Sequence, residues 1–201
     1  MSYITFQPKD YFNTKLYTGT GAENAITGVG FQPDWVWIKN RSAAEAHSLY
    51  DAVRGTQKVI YSNLSNAEAT ETNGLSSFDS DGFTVGSSGA INGSSQNIVS
   101  WNWKAGGAGS SNTDGSITST VSASTTSGFS IVTWTGNSGS VGHGLRKNPA
   151  MIITKSRGAT GGWYTTHKSL GAEIRDNYLF VNTSDANSTN IDIWGGEAPT
   201  S

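Results

Sequence analysis

The chain has 201 residues, of which 14% are charged, with a formal net charge of −2 and no cysteine. That balance excludes a protein that holds nucleic acid or anionic membrane by a basic surface. The missing thiols exclude a disulfide framework, a thiolate nucleophile and a cysteine metal site. An average soluble domain carries about 25% charged residues. Here Gly, Ser, Thr and Asn take the place of charge, so polarity is neutral.

Helical periodicity is confined to SAAEAHS at 42–48, one or two turns at most. Strand signals fill the rest: short β-branched and aromatic runs bounded by Gly, Asn, Asp and Ser. They predict strands at 3–6, 12–18, 24–27, 34–40, 47–52, 58–63, 82–87 and 97–104. A second series is predicted at 117–122, 128–135, 149–155, 162–168, 177–182 and 190–194. Between the two series, AGGAGSSNTDGS at 105–116 reads as a flexible Gly/Ser connection. WVWI at 35–38 is far short of the ~20 residues that a membrane helix needs. The start, MSYITFQPKD, lacks the basic-then-apolar pattern of a signal peptide.

The two series are copies. YTG at Tyr17 leads to GVGFQPDWVWIKNR, HSLYDAVRG and SNLSNAEA; WTG at Trp134 leads to VGHGLRKNPAMIITKSR, GGWYTTHKSLG and VNTSDAN. Matched residues include Gly30 with Gly144, Pro33 with Pro149, Lys39 with Lys155, Arg41 with Arg157 and Asn63 with Asn182. The offset of about 114–119 residues is too long for a solenoid unit of roughly 20–50, so this is a duplication of a domain-sized unit. The fold class expected is all-β: two similar antiparallel, jelly-roll-like β-sandwich units in tandem. The first covers 1–108, a linker 109–116, and the second, apparently incomplete, 117–201. The second copy has nothing to match the first copy's continuation from Ser77 to Ala105, which holds FTVG and IVSWNW.

Trp35, Trp37, Trp101 and Trp103 alternate along their strands, and they are expected to be buried and to define the core of the first unit. Asp79 and Asp81 in FDSDG offer two carboxylates to Ca²⁺, but such a loop wants about six oxygens. Asp-Gly is a hairpin turn by itself, and the turn is the reading adopted. His47, His143 and His167 have no metal-ligand spacing and read as surface or strand-end residues. No nucleophile elbow, phosphate loop or dinucleotide fingerprint occurs. The sequons at Asn40, Asn63, Asn92, Asn182 and Asn187 read as chance products of the composition. No catalytic residue, metal site or cofactor is therefore expected. Contact with a glycan or partner is assigned to Trp163 in GATGGWY, to Trp194, and to the paired cations Lys39, Arg41, Lys155 and Arg157. Trp163 is expected to be exposed or to anchor an interface. The cations equally serve to cover tryptophans and reach water.

TGVGFQPDWVWIKNRS, WNWKAGG, SNTDGSITSTVSA and GFSIVTWTG together resemble a family of duplicated β-rich domains in virion proteins of marine and cyanobacterial tailed phages. The resemblance spans nearly the whole chain and brings no catalytic residues. It implies a virion structural protein, assembled in the host cytoplasm. The role implied is a tail fibre or other surface appendage that acts in assembly or host attachment by binding. The partners implied are other virion proteins, further copies of the chain (a trimer favoured) and a host surface glycan, with no nucleic acid and no membrane insertion. The alternatives are a capsid decoration or head-fibre protein, a lectin-like module and, last, a glycan hydrolase.

Overall fold

The computed structural model describes residues 6–136, 138–171, 174, 177–189 and 200. The described residues are nearly all β, with a 3-10 turn at Pro8–Asp10 and one α-helical turn, α1 (Gly89–Asn92). In the first unit, β1 (Phe12–Thr18), β3 (Trp35–Asn40), β4 (Ser48–Asp51), β5 (Gly55–Tyr61), β6 (Ala69–Thr70) and β9 (Asn97–Trp103) form one antiparallel sheet. Its order is β1-β9-β3-β4-β5-β6. A smaller sheet of β2 (Asn24–Thr27), β8 (Gly82–Val85) and β7 (Leu75–Asp79) covers one face. Ile26, Phe83, Val85 and Leu75 from the small sheet meet Val36, Ile38, Tyr50, Val59 and Ile98 from the large one, and Ile91 of α1 joins them. That is the core of the first unit. Gly82 lies at its edge with φ +154°, and a Cβ there would sit 1.9 Å from the Ile26 carbonyl oxygen. Only glycine lets β8 approach β2 so closely.

The core therefore lies on the opposite face from the tryptophans, and the expectation that they define it is corrected. Side chains alternate across a strand. Val36 and Ile38 point inward, so Trp35 and Trp37 point away. The same holds in β9, where Ser100 and Asn102 stand opposite Ile38 and Val36 and are buried on the core side. Asn102 Nδ2 donates to the Asn13 carbonyl at 3.0 Å and to Ser100 Oγ at 3.1 Å, which makes its burial tolerable. The four tryptophans form a half-buried layer outside the sandwich, with ring centroids 4.7 Å apart for Trp35–Trp103 and 6.0 Å for Trp37–Trp101.

The second unit covers that layer. β10 (Ser110–Asn112), β11 (Ser119–Ser124) and β12 (Phe129–Trp134) form a three-stranded sheet. β13 (Met151–Lys155), β14 (Trp163–His167), β15 (Asn177–Phe180) and β16 (Ser188–Thr189) form a four-stranded one. Phe129 stacks on Trp35, with centroids at 5.5 Å and planes at 12°. Trp163 packs with Leu49, Ile60, Trp35 and Trp37.

The duplication is visible in the pairing itself. Trp35 stands opposite Asp51 and Trp37 opposite Leu49; their counterparts Met151 and Ile153 stand opposite His167 and Thr165. Leu49–Ile60 recurs as Thr165–Leu179, and Val59–Ala69 as Tyr178–Ser188. So β13-β14-β15-β16 repeats β3-β4-β5-β6 strand for strand and in register.

Three expectations change. The stretch 105–116 is an ordered joint rather than a flexible linker: it holds β10, the Asp34 carboxylate accepts from Ala105 N at 2.7 Å and Gly107 N at 3.1 Å, and Gly106 N donates to Ser122 Oγ. The stretch 42–48 is a loop that leads into β4. Strands β6, β7, β10 and β16 lie where the sequence predicts none. The predicted strands at 3–6 and 190–194 lie outside the described residues, apart from Phe6, which is not in a strand.

Candidate functional site

Each residue singled out by sequence has a definite place. Trp163 is only 5% exposed, and its indole Nε1 donates to the carbonyls of Tyr61 at 2.8 Å and Leu64 at 3.1 Å. It is an anchor between the units, and the expectation of an exposed sugar platform at Trp163 is corrected. The Gly-rich stretch before it makes a close turn onto the first unit, where Gly161 N donates to the Ser65 carbonyl at 2.8 Å. Trp194 lies outside the described residues.

The paired cations are loop clamps and a bridge. Lys39 Nζ donates to the carbonyls of Ala43 at 3.3 Å and Glu45 at 2.8 Å, and so closes the loop that follows its own strand. Lys155 repeats the action on the carbonyls of Ser156 at 2.7 Å and Ala159 at 3.3 Å. Partial burial holds the Lys155 pKa below its usual value. Arg157 reaches across the joint, with Nε and Nη2 each 3.0 Å from the Glu68 carboxylate oxygens. Glu68 also accepts from Arg54 Nη1 at 3.2 Å. Burial acts to raise the Glu68 pKa, but the bonds from Arg157 and Arg54 outweigh it and hold it low. Arg41 is exposed, and its backbone N–H donates to the Asn97 carbonyl at 2.8 Å. The five assigned residues that the structure describes therefore do not converge on one site.

The carboxylates of FDSDG are likewise committed. Asp81 accepts from Gly28 N at 2.9 Å and Gly30 N at 2.7 Å, and Asp79 accepts from Thr84 Oγ1 at 2.7 Å. These amide bonds hold the Asp81 pKa below its usual 3.8. A lowered folded-state pKa means stability that is present above the unfolded value and lost as pH falls through the folded one. Asp81→Ala is therefore expected to lower Tm at neutral pH, with the gap from wild type closing in acid. Thermal melts of both proteins across that range check this, and a gap that stays constant in acid would contradict it.

The histidines and sequons resolve in the same way. The Nδ1 atoms of His143 and His167 accept from Leu145 N and Ser169 N, two residues on in each case. Asn40 and Asn92 are buried. Asn63 Oδ1 accepts from His47 N at 2.8 Å, and Asn182 Oδ1 from Trp163 N at 3.0 Å, the same brace in both copies. Among the described residues, no group of three or more His, Asp or Glu side chains is placed to hold a metal ion. Among the described residues no helix is long and apolar enough to cross a membrane.

A shallow cleft of about 200 Å³ lies beside the joint. Thr118, Thr120, Thr133, Trp134, Thr135 and Arg157 line it, and Trp134 is 42% exposed. Hydroxyls, one aromatic face and one guanidinium can hold a neutral polar ligand or a chain segment. Among the described residues that line it there is no carboxylate or histidine. Sequence reading missed Trp134 because it sits inside the repeated WTG block and reads as structural.

The fold and joint define an all-β protein of two related units, the second docked on the tryptophan face of the first. Over residues 7–201 the chain matches the family described as Domain of unknown function (DUF7483), and it belongs to that family. No curated protein and no solved structure matches the chain.

Proposed function

We propose that the chain is a structural component of a tailed-phage virion, in a tail fibre or other surface appendage, where it serves assembly or host attachment by binding and without turnover. The observation that carries this reading is where the reactive side chains go. Asp79, Asp81, Glu68, Lys39, Lys155 and Arg157 all hold the fold or the joint, and the cleft beside the joint is lined mainly by hydroxyls. The sequence blocks that resemble virion proteins supply the setting. The test is immunogold labelling and mass spectrometry of gradient-purified particles of the phage that encodes the chain. The expected result is label on an external appendage. A chain present in infected cells but missing from purified particles would refute the reading.

A second reading, a lectin-like module, draws on Trp134 beside Thr133 and Thr135, since aromatic faces stack on sugar rings. A glycan array probed with the chain and with Trp134→Ala separates the two: selective binding lost in the variant supports the lectin, and no binding leaves the structural reading alone.

A further inference from the structure

Two carboxylates of the first unit, Asp34 and Glu68, hold the chain of the second. Asp34 is 2% exposed and pins the stretch that leads out of β9. It accepts from Ala105 N at 2.7 Å, Gly107 N at 3.1 Å and Gln32 Nε2 at 3.3 Å. Glu68 clamps the end of β13. Its carboxylate accepts from Arg157 Nε and Nη2 at 3.0 Å each, and its backbone N–H donates to the Arg157 carbonyl at 2.9 Å. The other contacts already described across the joint carry no titratable group. They are Trp163 Nε1 with the Tyr61 and Leu64 carbonyls, Gly161 N with the Ser65 carbonyl, and Phe129 on Trp35.

The duplication shows that neither carboxylate belongs to the common fold. Asp34 follows Pro33 as Ala150 follows Pro149, and Glu68 follows Ala67 as Asn187 follows Ala186. The backbone at the first place is the same in both copies: Ala52 N donates to the Asp34 carbonyl at 2.8 Å, and Lys168 N to the Ala150 carbonyl at 2.9 Å. The strands β13 to β16 thus form in the register of β3 to β6 with no acid at either place. What Asp34 and Glu68 add in the first unit is the hold on the second.

We propose that Asp34 and Glu68 form an acid-operated latch: their protonation frees the second unit and uncovers the layer of Trp35, Trp37 and Trp103 while the first unit stays folded. An ionised carboxylate only accepts, and a proton turns one of its oxygens into a donor that faces N–H groups. Glu68 faces Arg157 of the second unit and Arg54 of the first, with Asp51 beyond Arg54. Lys58 offers Arg54 only its carbonyl, and its Nζ goes to Thr70. Asp34 faces Gln32 and the two amides and, among the described residues, bonds no cation. Burial acts to raise the Glu68 pKa, and the bonds from Arg157 and Arg54 outweigh it and hold it below the ordinary 4.5. Its contribution is therefore complete above that value and is lost as pH falls through the lowered one. The inference does not depend on the virion setting, because it rests on the joint alone.

The test is a pH titration of the full chain by NMR. It reads hydrogen exchange of the Trp163 indole N–H against the amides of Val36 and Ile38, which lie in the core of the first unit. Each rate is normalised to that of unstructured chain at the same pH. Between neutral pH and the acid range below 4.5, protection of Trp163 is expected to fall at least about tenfold further than that of the core amides. Asp34→Asn and Glu68→Gln together keep both shapes and remove both protonation sites. In that double variant Trp163 should be poorly protected already at neutral pH and should not respond to acid. If the double variant does not fold, the wild-type titration decides alone. Loss of protection at Trp163, Val36 and Ile38 in step would mean that the whole chain unfolds in acid, and would overturn the proposal. So would a Trp163 indole that stays protected in acid, or a double variant that responds to acid as the wild type does.

Discussion

Replacing Arg54 by Ala should cost the chain about 3–5 kcal/mol, the usual penalty for stranding buried charge. The Arg54 side chain is 2% exposed. Its Nε donates to the Asp51 carboxylate, Nη1 to Glu68 at 3.2 Å and to the Lys58 carbonyl at 3.1 Å, and Nη2 to the Leu49 carbonyl at 3.1 Å. The variant leaves two carboxylates, 6% and 12% exposed, without this partner. Arg54→Lys keeps the charge but loses the planar fork, so it should recover only part of the loss. Arg157→Ala removes a cation that is 43% exposed and should cost about 0–1 kcal/mol. Urea unfolding of the three variants checks the order. An Arg157→Ala loss as large as that of Arg54→Ala would contradict the assignment of Arg54 as the buried centre of the network.

Trp163→Ala should cost about 3–5 kcal/mol as well, the range for a buried aromatic, and it should change the form of the transition. Trp163 fills the space over Leu49 and Ile60, and its indole N–H is the donor for two carbonyls of the first unit. Without it, the docked second unit keeps Phe129 on Trp35 and the Arg157–Glu68 pair, and loses the anchor between them. The single unfolding transition should split, with the second unit melting first. Trp163→Phe keeps most of the packing but removes the indole donor from the Leu64 carbonyl and leaves the Tyr61 carbonyl only its bond from Leu64 N, for an expected loss of about 1–3 kcal/mol. If Trp163→Ala unfolds in one transition within about 0.5 kcal/mol of wild type, as a surface substitution would, then Trp163 does not hold the units together.

Both residues show what the sequence conveyed. The alternation and bounding turns of β1 and β2 located those strands at 12–18 and 24–27, where they lie, and the repeat predicted a register that recurs pair by pair. Periodicity gives two faces but not which face meets which layer. Trp35 and Trp103 therefore read as core, while the face that carries Ser100 and Asn102 is the one that meets the small sheet. What reverses this is the small sheet β2-β8-β7, whose strand β7 reads LSSFD and has too little apolar alternation to announce itself. β10, SSN, is held by backbone pairing to β11 and has no side-chain signature at all. Arg54 and Glu68 carried one usable signal: in a chain only 14% charged, isolated charges beside strands β4 and β5 have a specific reason to be there. Trp163 was legible as an anchor but not as to its partner, because Leu49 and Ile60 lie more than a hundred residues earlier.

The four strands β13–β16 repeat β3–β6 in register, but among the described residues β13 is paired on one edge where β3 is paired on two. Residue-resolved amide exchange of the chain alone, followed by NMR, tests this most directly. β3 is bonded on both edges over Trp35–Ile38, so those amides should all exchange slowly. Among the described residues β13 is bonded on one edge, so Met151–Lys155 should alternate, with amides facing β14 protected and those between them exchanging at rates close to those of unstructured chain. Uniform protection along β13 equal to that of β3 would contradict the claim.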